Sequence, residues 1–205
     1  SSEQYSATGD LDIRAEILFI DGNGAIIDGG GLNGDRIFEV VSSYSTLNMD
    51  DVTLQNGGGS QVYGGAIFVG SRSNLYLSRS LLRGNEASRG GAIYTSGDVD
   101  LHNTTVVENT AFDASVGGAL VAYGSGSSLD LENCTVVANS WNSSVSGAGG
   151  IYGDATANVT FLDLHNTIVA LNDGMDLYAP QGWVTLDHSI VQRWEAGVSE
   201  SGTPA

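Results

Sequence analysis

Apolar and polar residues alternate along this chain with a period of two, in short bursts broken by glycine and asparagine. The stretch 90–109, GGAIYTSGDVDLHNTTVVEN, shows the unit. A glycine pair leads into Ala92, Ile93 and Tyr94, and Ser96-Gly97 makes a turn. Val99 and Leu101 then alternate with Asp98, Asp100 and His102. Side chains two residues apart share one face of a strand, so Val99 and Leu101 face one way and the polar residues the other. Val106 adds a third apolar position and Asn109 closes the unit. A helical period of 3.6 is absent throughout.

The unit recurs. One apolar position holds Ile37, Ile67, Ile93, Leu120, Ile151 and Leu177, spaced by 26 to 31 residues. The paired positions are Leu47/Met49, Leu75/Leu77, Val99/Leu101, Leu129/Leu131, Leu162/Leu164 and Val184/Leu186. The third is Leu54, Leu82, Val106, Val136, Val169 and Val191. Self-similarity at this period marks a solenoid. Three short strands per repeat predict an all-β fold, a right-handed single-stranded parallel β-helix of about seven coils. At about 4.8 Å per coil it would be a rod roughly 34 Å long. The expected layout is an irregular segment 1–10, the β-helix over 11–192 and an irregular tail 193–205. Asn56, Asn85, Asn109, Asn139 and Asn172 form one column at the repeat ends, and Asn103, Asn133 and Asn166 a second. Amides stacked in this way can bond from rung to rung. Cys134 shares a column with Ser80, Thr104, Thr167 and Ser189 and reads as a small buried filler.

GGAIF at Gly64, GGAIY at Gly90 and GGALV at Gly117, each followed by an L-x-N-x-T-V-x-x-N-like phrase, resemble the repeats of polymorphic outer-membrane-type and related bacterial surface β-helix proteins. The stretch 9–40 is similar to the opening coils of large secreted right-handed β-helix proteins. The stretch 166–192 is similar to the end of such domains in proteins with variable cell-surface anchors. The resemblance implies an extracellular or cell-surface module of unassigned activity.

Charge narrows the partners. The chain carries 24 acidic residues against seven arginines and no lysine, a formal net charge of −17. Such a surface repels nucleic acid and anionic membranes. It suits a salt-adapted surface, a Ca²⁺-binding surface or solubility in a secreted protein. A single cysteine cannot form an internal disulfide, and no apolar run approaches the roughly 18 residues of a membrane span. No cap precedes Leu11 and none follows Val191, which predicts either a segment of a longer protein or ends that meet other subunits.

Candidate chemistry falls on outward positions. Beside the inward leucines, the outward position before holds Asp12, Asn48, Tyr76, Asp100, Asp130, Asp163 and Thr185. The one after holds Asp50, Ser78, His102, Glu132, His165 and Asp187. Asp98, Asp100, His102, Asp130, Glu132, Asp163 and His165 are thus a candidate metal stripe, with Ca²⁺ as the expected ion, or a solvated acidic face. Paired carboxylates there could also serve a polysaccharide lyase or glycosidase. No lysine is present for a lyase, and Arg72, Arg79, Arg83 and Arg89 lie one or two coils away.

A second stripe, Phe38, Phe68, Tyr94, Val121, Tyr152 and Tyr178, reads in two ways. Pointing outward, Phe68, Tyr94, Tyr152 and Tyr178 would form a ladder for stacking sugars; pointing inward, they are core. Thr105, Val107, Thr135, Val137 and Ile168 mark a flat interface, with ice binding as a lesser alternative. Sequons at Asn103, Asn133, Asn142 and Asn158 permit glycosylation, Asn142 and Asn158 foremost. The leading functional expectation is a non-catalytic structural or adhesive surface module that self-associates, end to end into filaments in the sharper variant, or meets other surface proteins. A carbohydrate-active or polysaccharide-binding β-helix is the alternative.

Overall fold

A computed structural model describes residues 10–31, 34–41, 44–113, 115–142, 147–154 and 160–198. Three parallel ladders wind along one axis. The first runs through Leu11–Arg14, Phe38–Val41, Ile67–Val69, Ile93–Thr95, Leu120–Tyr123 and Ala148–Asp154 into the start of Met175–Asp187. The second runs from the start of Ile17–Asp28 through Thr46–Gln55, Asn74–Ser78, Asp98–His102, Ser128–Glu132 and Phe161–His165 to the end of Met175–Asp187. The third joins the ends of Ile17–Asp28 and Thr46–Gln55 to Leu81–Arg83, Thr105–Val107, Thr135–Val137, Ile168–Ala170 and Ile190–Val191. A short fourth sheet pairs Gly58–Tyr63, Glu86–Arg89, Thr110–Ala111 and Ser140–Trp141.

The alternation explains the core. Leu47, Leu75, Val99, Leu129, Leu162 and Val184 stack in one inward column. Met49, Leu77, Leu101, Leu131 and Leu164 stack in the next, and all of them are buried. Each such side chain contributes roughly 1.5–3 kcal/mol on burial. The glycine pairs have a local cause. Gly90 has φ +65°, and a Cβ on Gly91 would sit 2.7 Å from the Thr110 carbonyl oxygen, so neither position takes a side chain.

Polar columns close the corners. Asn85, Asn109 and Asn139 each donate from Nδ2 to the Oδ1 of the next asparagine at 2.9–3.0 Å, ending on Asn172. Asn172 Nδ2 donates to Asp176 Oδ1 at 3.0 Å, and Arg193 binds the other Asp176 oxygen. Ser80, Thr104, Cys134, Thr167 and Ser189 form a second column in which each hydroxyl or thiol donates to a carbonyl of the corner. Cys134 is buried, as expected of a filler, and burial pushes its thiol up to about 11.

Several expectations are corrected. Phe38, not Ile37, pairs with Ile67, so the first rung is shifted by one residue. Asn56 is exposed at φ +55°, and Gly57 takes the corner place, donating to Asn85 Oδ1 at 2.9 Å. Asn103, Asn133 and Asn166 hold φ of 48–56° at corners, where asparagine tolerates the left-handed conformation. Asn103 and Asn133 are exposed, not members of a bonded stack. Five complete turns separate the Phe38 rung from the Leu177 rung, and the second ladder stacks seven rungs. Paired structure extends past Gln192, because Trp194–Val198 pairs with Met175–Asp187. Residues 1–9 and 199–205 lie outside the described residues. No helix among the described residues is long and apolar enough to cross a membrane.

Candidate functional site

The outward side of the second ladder carries three columns. One holds Ile17, Thr46, Asn74, Asp98, Ser128, Phe161 and Trp183. The middle one holds Phe19, Asn48, Tyr76, Asp100, Asp130, Asp163 and Thr185. The last holds Asp21, Asp50, Ser78, His102, Glu132, His165 and Asp187. Parallel register forces this arrangement, since residues that alternate with buried leucines must point to solvent. Phe19, which sequence reasoning missed, replaces Asp12 at the head of the middle column. Asp12 belongs to the first ladder, opposite Glu39. The two strands of that first rung both alternate, so only their pairing partners could tell them apart.

A groove of about 430 Å³ opens on this face, lined by Phe19, Asp21, Asn48, Asp50, Tyr76, Ser78, Asp100 and His102 among others. Phe19 is 74% exposed and Tyr76 is 44% exposed. They lie two rungs apart with Asn48 between them, a separation of roughly 10 Å. Phe161 and Trp183, also exposed, continue the aromatic surface at the other end of the face. Asp50 is held by Ser78 Oγ at 2.5 Å and by an ion pair with Arg79. Asp21 and Asp100 supply the other carboxylates of the lining.

Crowding sets the charge on this face. Burial raises the Asp100 carboxyl above its ordinary value, and the charges of Asp130 and Asp98 raise it further. Burial also raises Asp130, reinforced by Asp163. The histidines lie beside the acids: His102 Nε2 is 3.7 Å from Glu132 and His165 Nδ1 is 3.4 Å from Asp187. The hydrogen bond from His165 holds Asp187 below the usual carboxylate range, with His188 adding to it.

The expected metal stripe therefore shares a face without closing around a point. Asp98, Asp100, His102, Asp130, Glu132, Asp163 and His165 line up along the axis. Among the described residues, however, no three of them bring ligand atoms within 4.8 Å of one another. The group that does so is Asp10, Asp12 and Glu39. A straight row of strands spaces side chains evenly, and convergence needs a corner or a change of register.

The aromatic stripe is corrected as well. Phe68, Tyr94, Tyr152 and Tyr178 do point outward from the first ladder, but loops cover them. Tyr94 and Tyr152 are each 5% exposed, and Val116 packs on the cluster. Tyr63 stacks on Tyr94 at 5.0 Å between centroids. These rings form a satellite core, not an open sugar-stacking ladder. Phe38 is fully buried in the main core, and Glu39 occupies its expected place beside Phe68.

Thr105, Val107, Thr135 and Val137 lie half-buried on the outward side of the third ladder, in line with exposed Ile168 and Ile190. Asn142 is exposed, and Asn158 falls outside the described residues.

Exposed rings flanking carboxylates and an amide can do one thing well. Such rings can stack on the C–H faces of a sugar, and such carboxylates can accept hydrogen bonds from its hydroxyls. An anionic ligand would be repelled. No curated protein sequence and no solved structure matches the chain. The family model described as the right-handed β-helix region matches residues 40–204, most of the chain. Together with the parallel ladders of the structure, that match places this protein in the right-handed β-helix family.

Proposed function

We propose that this chain is a glycan-binding module of an adhesive, extracellular β-helix protein, holding a neutral polyhydroxylated chain along its second ladder. The observation that carries this reading is the groove bracketed by Phe19 and Tyr76. Its rings are open to solvent, whereas on the first ladder Tyr94 and Tyr152 are buried and Tyr178 is half-buried. The acidic lining favours neutral sugars over uronates or sulfated chains.

Calorimetric titration with neutral and acidic oligosaccharides tests it. Binding of a neutral oligosaccharide is expected, reduced roughly tenfold or more by Phe19→Ala or Tyr76→Ala, about 1.4 kcal/mol or more. Failure of every neutral oligosaccharide to bind, or binding indifferent to both substitutions, would sink the reading. Release of reducing ends would replace binding with turnover. A second reading rests on the exposed Ile168 and Ile190 beside Thr105 and Thr135, a flat face suited to a second copy of the chain.

A further inference from the structure

Asp10, Asp12 and Glu39 meet where Leu11–Arg14 pairs with Phe38–Val41, and Asp12 and Glu39 are direct register partners. One carboxylate oxygen from each of the three lies within 4.8 Å of the others. The pattern of their partners is specific. Glu39 is only 3% exposed, and its Oε1 accepts a hydrogen bond from Arg36 Nη1 at 2.8 Å. Asp12 Oδ2 accepts from Arg14 Nη2 at 2.9 Å. The second oxygen of each, Glu39 Oε2 and Asp12 Oδ1, is buried with no hydrogen-bond partner. Each arginine thus occupies one oxygen and leaves the other without a donor.

Unpartnered buried carboxylate oxygens are costly, and two of them beside a third acid repel one another. A positive charge among them removes both problems. We propose that Asp10, Asp12 and Glu39 form a site for a divalent cation, Ca²⁺ in class, that fastens the first rung of the solenoid to the second. The donors are all carboxylate oxygens, the hard ligands that Ca²⁺ takes, and no imidazole or thiolate is present to select zinc or copper. Oxygens at about 2.4 Å on opposite sides of such an ion stand about 4.8 Å apart. Asp10 is only half-buried, which leaves room for water to complete the shell. The electrostatics agree. Burial raises the Glu39 carboxyl to about 7 against the pull of Arg36, and in the protonated state a side-chain hydrogen bond with Asp12 and the charge of Asp10 add to the rise, so the ion would displace a proton that Glu39 and Asp12 share. The site stands on a different face from the glycan groove and does not depend on it.

Calcium chloride titrated calorimetrically into the chelator-treated full chain, at about pH 8 where carboxylates are ionised, tests the proposal. One saturable site per chain is expected, roughly tenfold or more tighter than diffuse binding to the acidic surface, with a rise in melting temperature. Asp12→Asn and Glu39→Gln should abolish the saturable site, and Asp100→Asn, on the second ladder, should leave it unchanged. Asp10→Asn, at the rim, should weaken it roughly tenfold while preserving the circular dichroism spectrum. That variant keeps the test decisive if a buried variant misfolds. The proposal falls if no saturable site exists, if the site survives Asp10→Asn and Asp12→Asn unchanged, or if Asp100→Asn removes it.

Discussion

Asn139 sits mid-way in a chain of amides that binds each turn to the next. Its Nδ2 donates to Val106 O and Asn172 Oδ1, and its Oδ1 accepts from the amide and the side chain of Asn109, all at 2.9–3.0 Å. Alanine there would leave several buried partners unpaired at about 1–3 kcal/mol each. Asn139→Ala is therefore expected to destabilise the fold by about 3 kcal/mol or more. Asn103, exposed at φ +50°, permits a left-handed corner and its side chain bonds only the exposed His102 ring, at 2.9 Å. Asn103→Ala should cost about 1 kcal/mol, the strain of that conformation, and Asn103→Gly less. Urea unfolding of the three variants checks the order. Equal losses at both positions would mean that the bonded column contributes no more than the corner.

At the level of elements, the loop after Thr110–Ala111 is strapped to the stack through Asp113. Its carboxylate accepts from Arg89 Nε at 2.9 Å and from the Ser115 amide and hydroxyl at 2.7 Å. Its backbone carbonyl accepts from Trp141 Nε1 at 2.7 Å. Arg89 in turn lies over the Tyr63 and Tyr123 rings at 5.2 and 5.9 Å. Burial alone would raise the Asp113 carboxyl, but the Ser115 bonds and Arg89 outweigh it and hold it at about 2. A carboxyl lowered in the folded state binds fewer protons there than in the unfolded chain. Its contribution to stability is present above the unfolded value of 3.8 and lost as pH falls toward about 2. Thermal melts across that window should show the wild type losing stability on acidification. Asp113→Asn should lose less, having already given up the interaction at neutral pH. Identical acid slopes in the two proteins would show that the strap does not couple to protonation.

Across the whole molecule, the open faces of the rod differ in character. The second is polar, acidic and grooved. The third presents a column of Ile26, Thr53, Leu81, Thr105, Thr135, Ile168 and Ile190, flat and rich in β-branched side chains. If copies of the chain meet through this column, light scattering should show a concentration-dependent increase in mass. Thr135→Glu should abolish that increase without changing the fold. A net charge of −17 opposes the contact, so it should strengthen with added salt as repulsion is screened. A single mass at every protein and salt concentration would remove the second reading and leave the glycan groove untouched.

The sequence by itself determined the repeat, the three main strands of each turn though not the short fourth sheet, the inward leucine and valine columns and the filler role of Cys134. Alternation with buried leucines leaves a side chain only two directions, so these features are local and survive small errors of alignment. Tertiary structure alone decided the rest. The one-residue shift that pairs Phe38 with Ile67 carries Glu39 outward beside Phe68 and Asp12. That placement depends on which strand edge each segment meets across a turn, and the local pattern permits either. Covering of the tyrosine stripe depends on where loops of unequal length return. Whether acids converge or merely line up depends on distances between atoms more than 20 residues apart in sequence, as with Asp12 and Glu39. The stripe along the straight second ladder stays evenly spread, while the first rung, where a short strand meets a shifted partner, brings its carboxylates together.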